Sequence, residues 1–236
     1  MHDAMDPRQG IRQTIAAGDL DGCLRRAAEV HGHVCPYLAA GVRAAVLASQ
    51  RLGILRTAGM EDVLAIVECN NCFVDGIQAI SGCTFGNNAL IYRDLGKTAV
   101  TFLRREAEEG LRLALKDLAA VQETWEHREE ANRLFEKAVR RREPLTDAER
   151  RRFRALWAEA GFRVLHAADE DLFRLEPVGV QVPAYAPILD SVRCAVCGED
   201  VMESRARLRE GRAVCLACAG ERPWRVDGRG VGREAG

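Results

Sequence analysis

The chain has 236 residues, 47% of them hydrophobic, which is enough for one domain of ordinary size with a small appendage and excludes a largely disordered chain. Its 34 Lys and Arg residues nearly balance 35 Asp and Glu residues, so the formal net charge of -1 excludes a global attraction to nucleic acid or to an anionic membrane. The apolar runs are far shorter than the roughly 20 residues that cross a bilayer. The N-terminal MHDAMDPRQG also lacks the order of a signal peptide, so a cytoplasmic location without membrane attachment is expected.

The first predicted helix runs from about Thr14 to Val30, where apolar residues recur at helical spacing. Gly32 interrupts it, and Pro36 suits the first turn of a second, Ala-rich helix. Cys35 therefore lies at a helix N-terminus, where the partial positive charge of the helix favours a thiolate.

The next elements are a buried strand and a short helix. Residues 62–68 form a β-branched run that predicts the strand, which delivers Cys69 and Cys72 to the start of a helix that Gly82 ends. ALIYR and TAVTFLR, separated by DLGK, predict a hairpin with Gly96 in the turn. Because strands and helices alternate without a regular βαβ repeat, the predicted class is α+β, a mixed core with a small sheet and helices.

A charged helical insertion is predicted at about 104–161, and its last helix begins with a capping box at Thr146 and Glu149. DLFRLEPVGV then alternates like a strand that returns to the core sheet. The predicted domains are a core at 14–185 that contains the insertion, a zinc finger at 190–225 and a disordered tail at 226–236.

Two Cys-x-x-Cys pairs near the C-terminus have the spacing of a zinc ribbon or finger. Four thiolates complete a tetrahedron, so this zinc is predicted to be structural. The alternative is two disulfides or a redox pair, which suits a secreted protein better. Arginines around the module indicate either a partner surface or a solvated face; aromatic interleaving is absent, so nucleic-acid binding is not favoured. The four cysteines are Cys194, Cys197, Cys215 and Cys218.

A second ligand-rich region lies in the first third of the chain. His31 and His33 can face one point only if Gly32 breaks the helix, and Cys35 is close enough to join them. Cys72 and Asp75 share one helix face. This mixture of imidazole, thiolate and carboxylate suits zinc, iron or nickel better than magnesium or calcium.

Each of these residues also has a structural interpretation. His33 suits a helix cap, Cys83 a small buried hydrophobe and Asp75 an ordinary acid near a helix N-terminus. Cys69 and Cys72, three apart between a strand and a helix, also resemble a redox dithiol, although no thioredoxin-like βαβ pattern surrounds them. The combination of all these ligand types favours a metal or thiol site.

The chain carries HGHVCPYLAAGVRA, then ECNNCFVDGIQAISGCTFGNNALIYRDLGKTAVTF, and near its end CAVC and CLAC. Together these resemble the E-subunit family of formylmethanofuran dehydrogenase, with a finger similar to the four-cysteine DksA/TraR type. The resemblance implies an α+β core, a homodimer, a treble-clef zinc finger and an operon link to a larger molybdenum enzyme. It also implies a metal-binding cleft, carried over to His31, His33, Cys35, Cys72, Asp75 and Cys83.

The sequence thus predicts a metal-binding protein with two sites. In the core, His33, Cys35 and Cys72 would bind a transition metal or a metal-containing cofactor, with the other three cleft residues as further ligands or around them. The finger would bind zinc. The alternative is a regulatory protein that binds a partner or nucleic acid through its finger and senses metal or redox state through its core. Whether the chain is an enzyme is left open, since no phosphate loop or nucleophile elbow is present.

Overall fold

The computed structural model describes residues 6–54, 61–107, 109–179 and 181–234. The chain divides into a first unit that ends at Val182 and a second unit that begins at Pro183. Within the described ranges, no helix is both long and apolar enough to cross a membrane. The predicted α+β class is confirmed, because the first unit combines a five-stranded sheet with helices.

The N-terminal helices begin and end at residues suited to those positions. The helix predicted from Thr14 is in fact two helices, because Gly18 has a φ of 70° and Asp19 caps the second helix by accepting a hydrogen bond from the Gly22 amide. Asn71 likewise accepts from the Phe73 amide at the start of a later helix. The four helices are α1 (Gln9–Ala16), α2 (Leu20–His31), α3 (Pro36–Leu52) and α4 (Cys72–Ser81).

One five-stranded sheet supports these helices. Its strands are β1 (Val63–Val67), β2 (Leu90–Tyr92), β3 (Ala99–Arg104), β4 (Glu109–Leu115) and β5 (Phe173–Gly179), in the order β2-β1-β3-β4-β5. β1 pairs in parallel with β2, and the other neighbours are antiparallel. The predicted hairpin of β2 and β3 is wrong: β1 lies between them, because its five buried apolar residues pair along both edges.

The predicted insertion is helical only from Leu118 onwards. Its first part is strand β4, where Leu111, Leu113 and Leu115 alternate with polar or small residues on one face. β5 pairs with β4, so the predicted returning strand is confirmed. The helices are α5 (Leu118–Val121), α6 (Arg128–Phe135), a π-helical continuation (Glu136–Arg140), α7 (Asp147–Leu165) and α8 (Asp169–Leu172). The predicted capping box starts α7.

Hairpins make up the second unit. They pair β6 (Ser191–Arg193) with β7 (Asp200–Met202), β8 (Ala206–Arg209) with β9 (Arg212–Cys215), and β10 (Trp224–Asp227) with β11 (Gly230–Arg233). The tail predicted to be disordered from 226 therefore forms most of a hairpin as far as 233, while residues 235–236 lie outside the described part. Gly230, with a φ of 101°, begins β11, and the Arg233 guanidinium lies 5.0 Å above the Trp224 ring.

A buried ion pair links Glu68, the residue after β1, to Arg112 on β4. Glu68 accepts two hydrogen bonds from Arg112, at 2.7 and 2.8 Å, and is only 7% exposed. The bonds from Arg112 lower the pKa of Glu68 below its ordinary value of 4.5. A lowered folded-state pKa means that the pair stabilises the fold fully above about pH 4.5 and that this stabilisation disappears as pH falls through the lower value.

We therefore expect Glu68→Gln to lower the free energy of unfolding at pH 7 by about 2–3 kcal/mol, the effect of a hydrogen bond to a charged group. The deficit should shrink as pH falls below 4.5. Urea unfolding at several pH values measures both, with the exposed Glu109→Gln on β4 as the matched control. Equal stability of the two variants would show that the pair contributes nothing.

Candidate metal centre

Close contact between α3 and α4 sets the geometry of the candidate site. A Cβ at Gly41 would lie 2.0 Å from the Phe73 carbonyl oxygen, and one at Gly76 would lie 2.5 Å from that of Leu38. These separations are far below van der Waals contact, so only glycine lets the backbones approach this closely. The contact involves the first two turns of both helices, and it therefore holds their N-terminal parts against each other.

Two histidines and a cysteine converge in the turn that joins α2 to α3. Gly32 ends α2 with a φ of 88°, and the predicted non-helical break is confirmed. One ring nitrogen each from His31 and His33 and the Cys35 sulfur all lie within 4.8 Å of one another. His31 Nε2 is 4.0 Å from that sulfur, and the two imidazole centroids are 4.4 Å apart. Three potential ligand atoms therefore share one small volume.

Cys72, the first residue of α4, places a second sulfur beside this group, and it lines the same cavity as His33. Its sulfur is not one of the atoms that lie within 4.8 Å of one another. Interaction with Cys72, together with burial, raises the pKa of Cys35, whereas interaction with Cys35 and the neighbouring His31 lower the pKa of Cys72. The two remote segments therefore adjoin each other here. We call His31, His33, Cys35 and Cys72 the core cluster.

Asp75 orients one of the histidines. Its Oδ2 accepts a hydrogen bond of 2.7 Å from His31 Nδ1, and its Oδ1 accepts one of 3.4 Å from Gln78 Nε2. When Nδ1 carries the proton, Nε2 keeps a free lone pair directed towards the sulfurs. This carboxylate–imidazole arrangement is typical of histidines that bind a metal. Asp75 therefore contacts the side of the His31 ring that faces away from the Cys35 sulfur, and it supports the histidine without being a ligand itself.

Cys83 lies away from the core cluster. It follows the C-terminal end of α4, and a helix of that length separates it from Cys72 by about 15 Å. The Cys83 thiol donates to the Val63 carbonyl oxygen at 3.5 Å, and burial raises its pKa to about 11. The implied role of Cys83 in the cleft is therefore not supported by its position, and its structural interpretation as a small buried hydrophobe fits.

Cys69 also points elsewhere. Its thiol donates to Asn71 Oδ1 at 3.6 Å, and burial raises its pKa. Because the Cys69 thiol bonds to Asn71 and the largest influence on the pKa of Cys72 comes from Cys35, the arrangement does not favour a redox dithiol of Cys69 and Cys72.

The helical insertion supplies a wall of the site that sequence reasoning missed. α7 packs on the loop that carries the histidines, since a Cβ at Gly161 would lie 2.7 Å from Val34 Cγ1 and 3.2 Å from the Cys35 backbone. A cavity of about 720 Å³ lies between the insertion and the core cluster. The apolar spacing of Phe153 and Trp157 within charged α7 was the available signal. The cavity is lined by Gly32, His33, Val34, Cys72, Phe135, Val139, Arg150, Phe153, Arg154, Trp157 and Ala158.

Gly76→Ala tests the helix contact. The added methyl group cannot fit 2.5 Å from the Leu38 carbonyl, so α3 and α4 must separate. We expect overpacking to lower the free energy of unfolding by about 1–3 kcal/mol and to weaken metal binding at the core cluster at least tenfold, or about 1.4 kcal/mol. Competition with a chromogenic chelator measures the affinity. Gly179→Ala, where a Cβ meets open space, is the control, and equal affinities in the two variants would contradict the claim.

The second unit holds the four-cysteine cluster. Sulfur atoms of Cys194, Cys197, Cys215 and Cys218 lie within 4.8 Å of one another, and a tetrahedron with Zn–S bonds of about 2.3 Å has edges of about 3.8 Å. The backbone amides of Cys197 and Cys215 donate to Cys194 and lower its pKa. The donor set and spacing therefore fit zinc, as predicted.

Some arginines of the second unit are already paired. Arg207 makes two hydrogen bonds to Glu221, at 2.7 and 3.0 Å, and Arg193 pairs with Asp200. These exposed pairs favour the interpretation of this surface as a solvated face.

Comparison with known proteins agrees with both units. A family model described as FmdE, molybdenum formylmethanofuran dehydrogenase operon, matches residues 30–174, and a prokaryotic dksA/traR C4-type zinc finger model matches residues 187–223. A tungsten formylmethanofuran dehydrogenase FmdE-like protein from Syntrophus aciditrophicus has a similar structure, with a TM-score of 0.53 and 22% identity. That comparison covers 85% of this chain and 92% of the other, and it supports the fold.

A curated relative has a more informative name. It is called a probable S-adenosyl-L-methionine-binding protein, from Archaeoglobus fulgidus, and is 43% identical over 211 residues. The match covers 88% of this chain and 55% of the relative, so the chain spans about half the length of that protein.

Proposed function

Because the chain belongs to the FmdE family, we propose that it is a metal-binding protein with two different sites. The first unit binds one transition-metal ion at the core cluster, and the second unit binds a structural zinc ion with its four cysteines. The observation that supports the core site most directly is the convergence of two imidazoles and Cys35 within 4.8 Å, with Cys72 beside them in the lining of the cavity.

The donors of the core cluster favour zinc, iron or nickel. Two thiolates and two imidazoles are borderline-soft ligands, and they balance the charge of a divalent ion. Of the four side chains only His33 is exposed, whereas Cys35 is 2% exposed. The ion would therefore be accessible from the side of His33, which faces the cavity. With all four side chains bound, the tetrahedral coordination would be complete, so a catalytic role would require one of them to leave an exchangeable position.

Metal content tests the proposal. Protein purified without chelators and reconstituted with zinc should hold two ions per chain by quantitative elemental analysis, one in each site. A single ion per chain under saturating zinc would leave only the finger and would overturn the proposed core site.

Asp75→Asn tests how His31 is held. An amide cannot stabilise the imidazole as a carboxylate does, so we expect the dissociation constant of the core metal to rise about 10–100-fold. Asp171→Asn, an exposed acid on α8, is the control. Unchanged affinity in Asp75→Asn, measured by chelator competition, would show that His31 is not a ligand oriented by Asp75.

A second candidate function is binding of S-adenosyl-L-methionine, the compound in the name of the Archaeoglobus relative. The cavity beside the core cluster supports it, since about 720 Å³ is within the range of ligand pockets. Equilibrium dialysis with the radiolabelled compound tests this candidate directly: saturable binding of one molecule per chain is expected, and binding no greater than in heat-denatured protein would exclude it.

Other interpretations stay predictions. These are the homodimer, association with a larger molybdenum enzyme, the cytoplasmic location, and a regulatory role in which the finger binds a partner.

A further inference from the structure

The cavity beside the core cluster has two unlike ends. At one end Cys72 and His33 line it directly, so that a ligand inside the cavity reaches the candidate metal position. The opposite side is lined by residues of the insertion, which lie on α6, on its π-helical continuation and on α7. A ligand would therefore contact both the metal site and the insertion.

Aromatic side chains form the apolar wall of this cavity. The Phe135 and Trp157 rings are stacked with centroids 5.0 Å apart and an interplanar angle of 17°, and the Phe153 ring lies 5.3 Å from Trp157. Because these rings already pack on one another, the wall is preorganised and offers ring edges and the remaining faces to a ligand. Such a wall suits a flat, apolar group.

Positive charge lies on the same side. Arg150 and Arg154 line the cavity, and none of the described lining residues is acidic. Arg150 is engaged, since it donates to the Leu145 carbonyl oxygen at 3.1 Å and lies 3.7 Å from Asp147. Arg154 is exposed and has no acidic partner among the residues that the structure describes. Its guanidinium is therefore available for a carboxylate.

We infer that the cavity binds a small organic carboxylate with a flat apolar ring. Arg154 pairs with the carboxylate, the ring packs against Phe153 and Trp157, and the rest of the molecule extends towards His33 and Cys72. This inference rests on the proposed core metal site, since it assigns the ligand class of that same site. It gives the insertion a function, which is to complete the ligand pocket.

Isothermal titration calorimetry on the full chain tests the inference with 4-phenylbutyrate as the probe. Two analogues separate the contribution of the carboxylate from that of the ring: 4-phenylbutan-1-ol lacks the charge, and butyrate lacks the ring. We expect 4-phenylbutyrate to bind at least tenfold more tightly than either. Arg154→Gln should weaken its binding about tenfold, the loss typical of one hydrogen bond to a charged group. The alcohol should bind equally to Arg154→Gln and to the unsubstituted chain.

Arg151→Gln is the matched control, because Arg151 is exposed on the same helix and does not line the cavity. Equal affinity of 4-phenylbutyrate for Arg154→Gln, Arg151→Gln and the unsubstituted chain, or equal binding of all three probes, would overturn the inference. Circular dichroism of each variant verifies folding. The metal count separates the two proposals: two ions per chain without probe binding refutes only the ligand class, whereas one ion per chain refutes the core metal site itself.

Discussion

Cys35→Ala should lower the metal content of the reconstituted chain from two ions to one. Cys35 is almost fully buried, and its sulfur lies within 4.8 Å of one ring nitrogen each of His31 and His33. Its removal leaves three of the four proposed ligands, two imidazoles and one thiolate, and we expect these to bind the ion too weakly to retain it. Elemental analysis after gel filtration measures the loss.

Cys83→Ala is the matched control for that result. Cys83 is as deeply buried as Cys35, and its thiol also makes a hydrogen bond, so both variants remove a buried sulfur from the same core. The chain should retain two ions after this substitution, because Cys83 lies at the opposite end of α4. If both variants lost one ion, the loss would reflect destabilisation of the core and would contradict the assignment of Cys35 as a ligand.

Cys215→Ser should unfold the second unit and leave the first unit folded. Among the described residues of the second unit, the buried hydrophobic side chains are Cys194 and Val214. Isolated two-stranded hairpins are marginally stable in water, so zinc must supply the folding free energy, which is about 10–16 kcal/mol in zinc-finger peptides. We expect loss of one zinc ion and rapid proteolysis after Val182, with little change in the thermal transition of the first unit.

Chelation of the unsubstituted chain should reproduce this pattern of proteolysis. Ser191→Ala, an exposed position in the same unit, should retain zinc and resist the protease. A second unit that stays protected after verified removal of zinc would show that its hairpins fold without the metal.

Local signals predict the features that depend on neighbouring residues. The spacing of the C-terminal cysteines identifies the finger, Gly32 identifies the break before α3, and the Thr146 capping box identifies the start of α7. Each of these signals acts within a few residues, so its physical cause is visible in the sequence.

Long-range pairing causes the errors in the predicted fold. β2 and β3 are close in sequence and have hairpin-like composition, but burial of β1 on both edges separates them. The charges around β4 favour a helix, although its leucines alternate with a period of two. Such errors arise because strand order is decided by which apolar surfaces are buried, a property of the whole sheet.

Residue types predict the candidate site, and they do not predict its geometry. Nothing in the sequence marks Gly41 and Gly76 as the contact that brings α3 and α4 together. The spacing of Phe153 and Trp157 is visible in the sequence, but it does not identify a wall of the site, because aromatic residues at helical spacing are more often core residues than ligand-binding ones. Asp75 is a predicted site residue, but its contact with His31 is a tertiary contact between α2 and α4.

Zinc X-ray absorption of the Cys215→Ser chain tests the central claim most directly, since the remaining zinc then lies outside the finger. If the core cluster binds the ion, the spectrum will show two sulfur ligands at about 2.3 Å and two nitrogen ligands at about 2.0–2.1 Å. Substituting Cys72 with alanine in the same chain should reduce the sulfur count to one. A spectrum with only oxygen and nitrogen ligands, or no bound zinc at all, would contradict the claim that the two segments share one metal ion.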